Sequence, residues 1–395
     1  MNFDIIITGN TIGALFTKYI IFKKYKVKIA SIIPPISILK NANLVLFSAT
    51  LRNLKFQFKS ILNSSIFKSY KSFSFKFANK SFDIELDKNI FFVTQLENLK
   101  QYINSIISEN NTSNFYQKIF NNSIKDIYYD NSKWYVKLDN SKIVNGEYLL
   151  ICDDFWGLSW NILNISLKHN GGWIVKVPNL QKDKDIKDQK IIFSFGDTKK
   201  SVILGNSNFI FANYIDKEYS IDNVINKFLL SNFDMFKNYK ILSWDKYVLP
   251  FSYKLDEIKE NYLKINSKLL NSKLFIVSEY LGLTSTLYPD FTYLTSILAN
   301  DFLNLLDNNN PNLLNFLDSI FKTIEINYIF YKIMNFIYKY PFVFINNFED
   351  NFKNYFINFL LGNLSLFEFD KILSNVFGNY YEPLEIKLSE KALQE

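Results

Sequence analysis

The chain opens on a short apolar run, "DIIIT" at 4–8, β-rich and of the length of a strand buried on both faces. Behind it, "TIGALFTKYIIFKKY" sets Ile12, Leu15, Tyr19 and Phe22 at helical spacing, and "KVKIASI" returns as a strand, which makes a βαβ unit in about 30 residues. The pattern then predicts a helix at "FSATLRNLKFQFKSIL", strands at "FSFKF", "FDIEL" and "IFFVTQ", and a helix at "LENLKQYINSIISEN". From about 115 to 152 it is all strand: "KDIYYD", a turn at Asn131 and Ser132, "KWYVKLD", and the apolar "EYLLICDD". Residues 170 to 255 continue β-rich ("GGWIVKV", "KIIFSFGD", "SVILGN", "FIFANYI") around one helix near "IDNVINKFLLSNF". "KLFIVSE" reads as another buried strand, and the chain is helical from about 292. The order is α/β, a β-rich insertion, a return to α/β, and a helical tail.

The first turn carries the most specific chemistry. A turn that holds a pyrophosphate needs glycine at three places: for the tight turn, for close approach of backbone to phosphate, and for contact of helix with sheet. In one register those places are Thr8, Asn10 and Gly13, and the acidic residue that would accept from ribose hydroxyls falls on Ser31. Shifting by one gives Gly9, Thr11 and Ala14, with Ile32 at the acid position. A side chain where glycine is usual disfavours positive φ and crowds the ligand, at about 1 kcal/mol or more each. Restoring a carboxylate at Ser31 is expected to tighten a bound dinucleotide.

Composition removes other chemistries. The 395 residues include 40 Phe and 25 Tyr but only 11 Gly, and the chain is crowded with Asn, Lys and Ile, residues of A/T-rich codons, so a single Lys or Asn carries little information. The net charge of +7 is spread among interspersed Lys and Asp/Glu, which suits a mixed solvated surface rather than a nucleic-acid partner. One cysteine, Cys152, excludes an internal disulfide; with one histidine, His169, it leaves no His/Cys cluster for a metal and little for Ser-His or Cys-His catalysis. No apolar run reaches the roughly 18 residues of a membrane span, and the chain enters a strand without a leader, so a cytoplasmic protein is expected.

Three further stretches extend the likeness of the opening turn. "NLVLFSATLRNL" carries Asn43 and Ser48, "EYLLICDDFWGLSW" ends a strand on Asp153 and Asp154, and "TSTLYPDFTYLTSILANDF" carries Thr286, Leu287, Pro289 and Asp301. In this order and length the chain resembles the flavin-dependent aromatic hydroxylases of ubiquinone biosynthesis, within the p-hydroxybenzoate hydroxylase fold. Asn43 stands where that family has arginine, Asp153 falls on its strand-end aspartate, and Ser285 and Tyr288 replace its histidines. Thr292, Tyr293 and Leu294 replace its Gly-Gln-Gly turn, and its Gly-Asp falls on Leu281 and Gly282 or, with an insertion, on Ser278 and Glu279.

The resemblance implies a Rossmann-like FAD-binding domain at 1–170 plus 256–305, with a small β insertion near 70–95, a β-rich substrate domain at 171–255, and a helical region at 306–395. It implies FAD as cofactor, NAD(P)H as reductant and hydroxylation of a polyprenylated phenol, with a place in a ubiquinone-biosynthesis complex and peripheral contact at the inner membrane face. Gly9, Asn10, Ile12, Gly13, Ser31, Asp153, Gly282 and Thr292 become cofactor-binding candidates, and Pro289 the catalytic one, presenting its carbonyl near substrate and flavin. Each has a plainer reading beside it. Gly9 and Gly13 also suit turn and packing glycines, Asp153 a turn residue, Pro289 a loop-shaping one, Asp301 a structural helix residue, and the Phe/Tyr-rich tail a core. Two rival functions remain: a non-catalytic scaffold descended from the family, and another flavoenzyme of the same fold, such as a reductase of isoprenoid chains.

Overall fold

A computed structural model describes residues 2–24, 26–35, 43–48, 65–77, 80–109, 116–154, 157–182, 190–195, 202–206, 209–215, 221–232, 239–265, 267–287, 290, 292–307, 311–348 and 352–383. Pro289, Tyr288 and the helix expected from 49 onward lie outside them.

The first sheet is built on β1 (Asn2–Thr8), β2 (Lys28–Ile32), β8 (Tyr116–Phe120), β9 (Ile124–Asp130), β10 (Lys133–Leu138), β11 (Ile143–Ile151) and β17 (Leu274–Ile276). Its order is β8-β2-β1-β11-β10-β9. The pairs β8·β2, β2·β1 and β1·β11 are parallel, as is β17 against the far end of β11. Thus the runs at 4–8, 27–31 and 148–152 are neighbouring parallel strands, as their two-sided apolar character requires: Ile5, Ile6, Ile7, Leu149, Leu150 and Ile151 are all buried. The meander β9–β10 turns on Asn131 and Ser132, both at positive φ, the backbone of a two-residue hairpin loop.

A second sheet runs β16 (Tyr239–Phe251), β12 (Gly171–Lys182), β15 (Phe209–Ile215), β14 (Val202–Asn206), β13 (Ile191–Phe195), β5 (Ser72–Phe77) and β6 (Lys80–Glu85). The hairpin β5–β6 therefore extends the β-rich region of 171–251, joined through a parallel pairing of β5 with β13. A small third sheet holds β3 (Asn43–Phe47), β7 (Phe91–Gln95) and β4 (Lys68–Tyr70).

Helix α1 (Ile12–Lys24) is buried on all sides from Ile12 to Ile21, packed against α2 (Leu96–Glu109) and α7 (Thr292–Asp307). Short helices α3 (Leu158–Ile162), α5 (Leu255–Leu263) and α6 (Ser267–Leu270) connect the sheets, and α4 (Ile221–Ser231) covers one face of the second through Ile225 and Phe228. The tail is α8 (Leu313–Lys339), α9 (Pro341–Asn347), α10 (Lys353–Leu360) and α11 (Leu366–Phe377). Its phenylalanines are core: Phe336, Phe344, Phe348, Phe352, Phe356, Phe369 and Phe377 are buried, and Phe348 stacks on Phe75 of the second sheet at 5.2 Å. Phe342, 77% exposed, is the exception. Among the described residues, no helix is long and apolar enough to cross a membrane.

Candidate functional site

Four parallel strands end together. Thr8 pairs with Ile32 on one side and Ile151 on the other, and Ile151 with Ile276, so these residues form one row across the carboxyl edge of the sheet. The residues just beyond, Gly9, Ile33, Cys152 and Val277, form its rim, where ligands of open α/β sheets bind.

Two glycines at this rim are fixed by close backbone contact. Gly9 has φ +79°, donates its N–H to Ile32 O at 2.9 Å, and a Cβ on it would lie 2.2 Å from Cys152 O. A Cβ on Gly13 would lie 2.2 Å from Val277 O, so the first turn of α1 rests on the end of β17 through a bare backbone. Gly13 rather than Ala14 is thus the glycine of helix-to-sheet contact. That leaves Asn10 at the place of close approach to phosphate in the first of the two registers. Thr11 bridges the parts: its Oγ1 donates to Cys152 O at 2.8 Å and accepts from Ala14 N at 3.4 Å, capping α1. Ile12, fully buried, begins the helix.

Asp153 follows Cys152 and is 97% removed from solvent. Its Oδ2 accepts from Ser159 N at 3.1 Å, at the start of α3, and Gly157 permits this fold-back because a Cβ there would lie 2.2 Å from Asp153 Cβ. Burial pushes the carboxyl above the ordinary aspartate range, against the opposing pull of the Ser159 and Thr8 hydroxyls and of Ser159 N–H. Neither hydroxyl is aligned for a hydrogen bond. Asp153 Oδ1, Thr8 Oγ1, Ser159 Oγ and Asn10 Oδ1 are buried without a hydrogen-bond partner among the described residues. Ser278 Oγ donates to Asp153 O and accepts from Tyr280 N.

Ser31 lies two rows below the rim, one below the row of Thr8 and Ile32. It pairs with Ile7 and Ile119, is fully buried, and accepts from Gln117 Nε2 at 2.9 Å. An introduced carboxylate there would start inside the sheet, two rows short of the rim residue Ile33.

The remaining candidates lie along the segment from β17 to α7. Gly282, φ +76°, abuts Ser252 at the end of β16: a Cβ on it would lie 2.3 Å from Ser252 Oγ, and its carbonyl accepts from Ser252 N at 3.0 Å. It therefore joins the two sheets. Asn327 of α8, which sequence reasoning missed, clamps this segment: Nδ2 donates to the carbonyls of Ser252, Thr284 and Gly282 at 2.8, 3.0 and 3.3 Å, and Oδ1 accepts from Thr286 N at 3.1 Å. Thr292 is the first residue of α7, and its N–H is already taken by Asp290 Oδ1 at 2.8 Å. The same carboxyl accepts from Tyr293 N at 3.3 Å and Phe47 N at 3.4 Å. Asp301 is turned to Ser319 and Lys322 and burial raises its pKa, which fits a structural residue. His169 contacts Ser252 Oγ at 3.3 Å, and burial lowers its pKa to about 4.

No family model and no curated protein matches the sequence. Solved structures do match in shape. A geranylgeranyl bacteriochlorophyll reductase-like protein from Thermoplasma acidophilum superimposes with TM-score 0.64 at 11% identity, over 96% of this chain and 97% of that one. A flavoprotein/dehydrogenase from Cytophaga hutchinsonii gives 0.61 at 10% identity, over 91% and 93%. A probable FAD-dependent monooxygenase from Pseudomonas aeruginosa gives 0.51 at 11% identity, over 90% and 100%. Sheet order, rim and helical tail together give this chain the fold of the FAD-binding monooxygenases.

Proposed function

We propose that the chain binds FAD along the rim of the first sheet and acts as a flavin-dependent monooxygenase. The observation that carries this reading is the set of buried, unpartnered polar atoms there: Thr8 Oγ1, Asn10 Oδ1, Asp153 Oδ1 and Ser159 Oγ, beside the first turn of α1. Each such atom costs about 1–3 kcal/mol unless something polar meets it. A ligand rich in hydroxyls and phosphate oxygens supplies that, and a helix N-terminus favours its anionic part.

In this reading the N–H groups of the turn beyond Gly9, from Asn10 to Gly13, hold the diphosphate, and Thr8, Asp153 and Ser159 meet hydroxyls of the ligand. Asp153, whose pKa burial raises, offers its unpartnered Oδ1 to the ligand's hydroxyls. FAD supplies the oxygen chemistry, so no side-chain nucleophile is required, in keeping with the single histidine and cysteine. NAD(P)H as reductant and a polyprenylated phenol of ubiquinone biosynthesis as substrate, with Pro289 presenting its carbonyl near flavin and substrate, complete the reading through the sequence resemblance.

The test is visible absorbance and FAD titration of the gently purified chain, followed by oxygen uptake with NADH or NADPH and a prenylated phenol. Bound flavin with phenol-dependent oxygen uptake supports the reading. Flavin without such uptake points to another flavoenzyme of this fold. A colourless chain that takes up no FAD points to a scaffold, which the internal use of Asp290 and Ser31 favours.

A further inference from the structure

Helix α1 carries a charge that the fold leaves uncompensated. Lys18 is fully buried, and its Nζ meets no hydrogen-bond acceptor among the described residues. Burial lowers its pKa to about 8, the buried Lys100 of α2 lowers it further, and Cys152 opposes both. At neutral pH the amine is therefore still mostly protonated. Asp301, on the other helix packed against α1, is turned away to Ser319 and Lys322.

The position of this amine matters more than its titration. Thr11, Ala14 and Lys18 follow one another at helical spacing along one face, and helix side chains lean toward the N-terminus. Lys18 acts on Cys152, whose carbonyl accepts from Thr11 Oγ1 and closes on Gly9. The buried amine thus lies on the face of α1 that carries Thr11, near Cys152, the residue on which the turn closes. An unpaired buried charge is strongly unfavourable unless a countercharge arrives.

Resting on the FAD reading above, we propose that Lys18 is the countercharge of the ligand's diphosphate, acting from the Thr11 face of α1 and offsetting the close backbone approach that the side chain of Asn10 hinders. Low dielectric around the helix lets the attraction act without direct contact. By reciprocity, the bound diphosphate favours the protonated amine as much as the amine favours the diphosphate. Affinity is then full below pH about 8 and falls as pH rises past it.

The experiment titrates the full chain and Lys18→Met with FAD, ADP and riboflavin by fluorescence, on both sides of pH about 8. The expected result is about tenfold weaker FAD and ADP binding in Lys18→Met at neutral pH, with riboflavin, which has no phosphate, unchanged. The decline of affinity at high pH should vanish in the variant. The ligand-free variant should melt at a higher temperature than the wild type, since the unpaired charge is gone, which separates weak binding from misfolding. Equal FAD affinity in both proteins, or an equal loss for riboflavin, overturns the inference alone. So does a high-pH decline that persists in Lys18→Met and vanishes in Cys152→Ser. Wild type that binds neither FAD nor ADP at any pH overturns the FAD reading and this inference with it.

Discussion

The rim at Gly9–Gly13 and the segment from Gly282 to Thr292 treat their polar groups in opposite ways. At the rim, Asp153 keeps one carboxyl oxygen unpaired, beside the unpaired hydroxyls of Thr8 and Ser159. In the second segment the carboxyl of Asp290 and the amide of Asn327 are turned onto the chain's own backbone, which among the described residues leaves the Thr284 and Thr292 hydroxyls unpartnered. The helix that begins at Thr292 is capped by a carboxyl, Asp290, whereas α1 is capped by a hydroxyl, Thr11, and begins beside the unpartnered oxygens of Asn10 and Asp153. One region has the energetics of a binding site and the other of a brace that sets the angle between two sheets.

The largest effect expected is at Gly13. Gly13→Val puts a branched side chain against Val277 O, where even a Cβ has only 2.2 Å, and the neighbour is backbone. Stability should fall by about 3 kcal/mol, the upper range for overpacking. Flavin retention should fall with it, because the turn moves with the helix. Thermal melting and flavin binding measured on the same samples check this; a variant with wild-type melting would show that α1 can slide and that the rim is not rigid.

Next comes the brace. Burial holds His169 near a pKa of about 4 against an unfolded value of 6.5, so the unfolded chain binds the proton first as pH falls. Stability is full above pH about 6.5 and is lost progressively toward pH about 4, by up to about 3 kcal/mol. Denaturant melts across this window should slope for wild type and flatten for His169→Gln. A slope unchanged in the variant would assign the acid loss elsewhere. If flavin binding at the rim declines in step with the brace, the two regions are coupled.

A third change concerns the second row beneath the rim. Ser31→Asp buries a carboxyl beside Gln117, inside the sheet, so it should cost about 1–3 kcal/mol. That cost should be smallest at low pH and grow as the carboxyl ionises. The expectation from spacing alone, a tighter ligand, assumes that this position reaches the rim, and the pairing of Ser31 with Ile7 puts it two residues short. Tighter flavin in Ser31→Asp without loss of stability would mean that β2 lies in another register.

What was legible in the sequence follows the same division. The central strands of the first sheet could be read because Ile5 to Ile7 and Leu149 to Ile151 form short β-rich runs apolar on both faces, as strands buried on both sides require. Gly9 and Gly13 stood out because the chain has so few glycines. Ser31 was placed by spacing alone, which does not resolve that its pairing with Ile7 leaves it two residues short of the rim. Lys18, Asp290 and Asn327 were hidden by composition: in a chain crowded with Lys and Asn, a lysine in a helix reads as solvated and an asparagine as drift. Their partners are set by tertiary contact, as Asn327 shows by reaching Ser252, 75 positions away.

The smallest effect is the one that separates the regions most cleanly, because the same substitution can be made in each. Asp290→Asn loses an acceptor: Oδ1 can still serve Thr292 and Tyr293, but an amide N–H₂ would face Phe47 N, two donors together, at a cost of about 1–3 kcal/mol. Asp153→Asn keeps an oxygen for Ser159 N and turns an N–H₂ toward the hydroxyls of Thr8 and Ser159, which can accept. It also removes a carboxyl that burial disfavours ionising. That native carboxyl contributes stability fully at low pH and loses it as pH rises through its raised pKa, so the variant should gain on the wild type as pH rises. At neutral pH its stability should change by less than about 1 kcal/mol. Flavin affinity should nevertheless fall by about tenfold, or about 1.4 kcal/mol, because an amide N–H₂ replaces the acceptor Oδ1 that the ligand's hydroxyls would meet. Paired melts and FAD titrations of the two variants decide it. Equal losses of stability at Asp153 and Asp290 would mean that the rim carboxyl is a second brace, and the contrast between the regions would collapse.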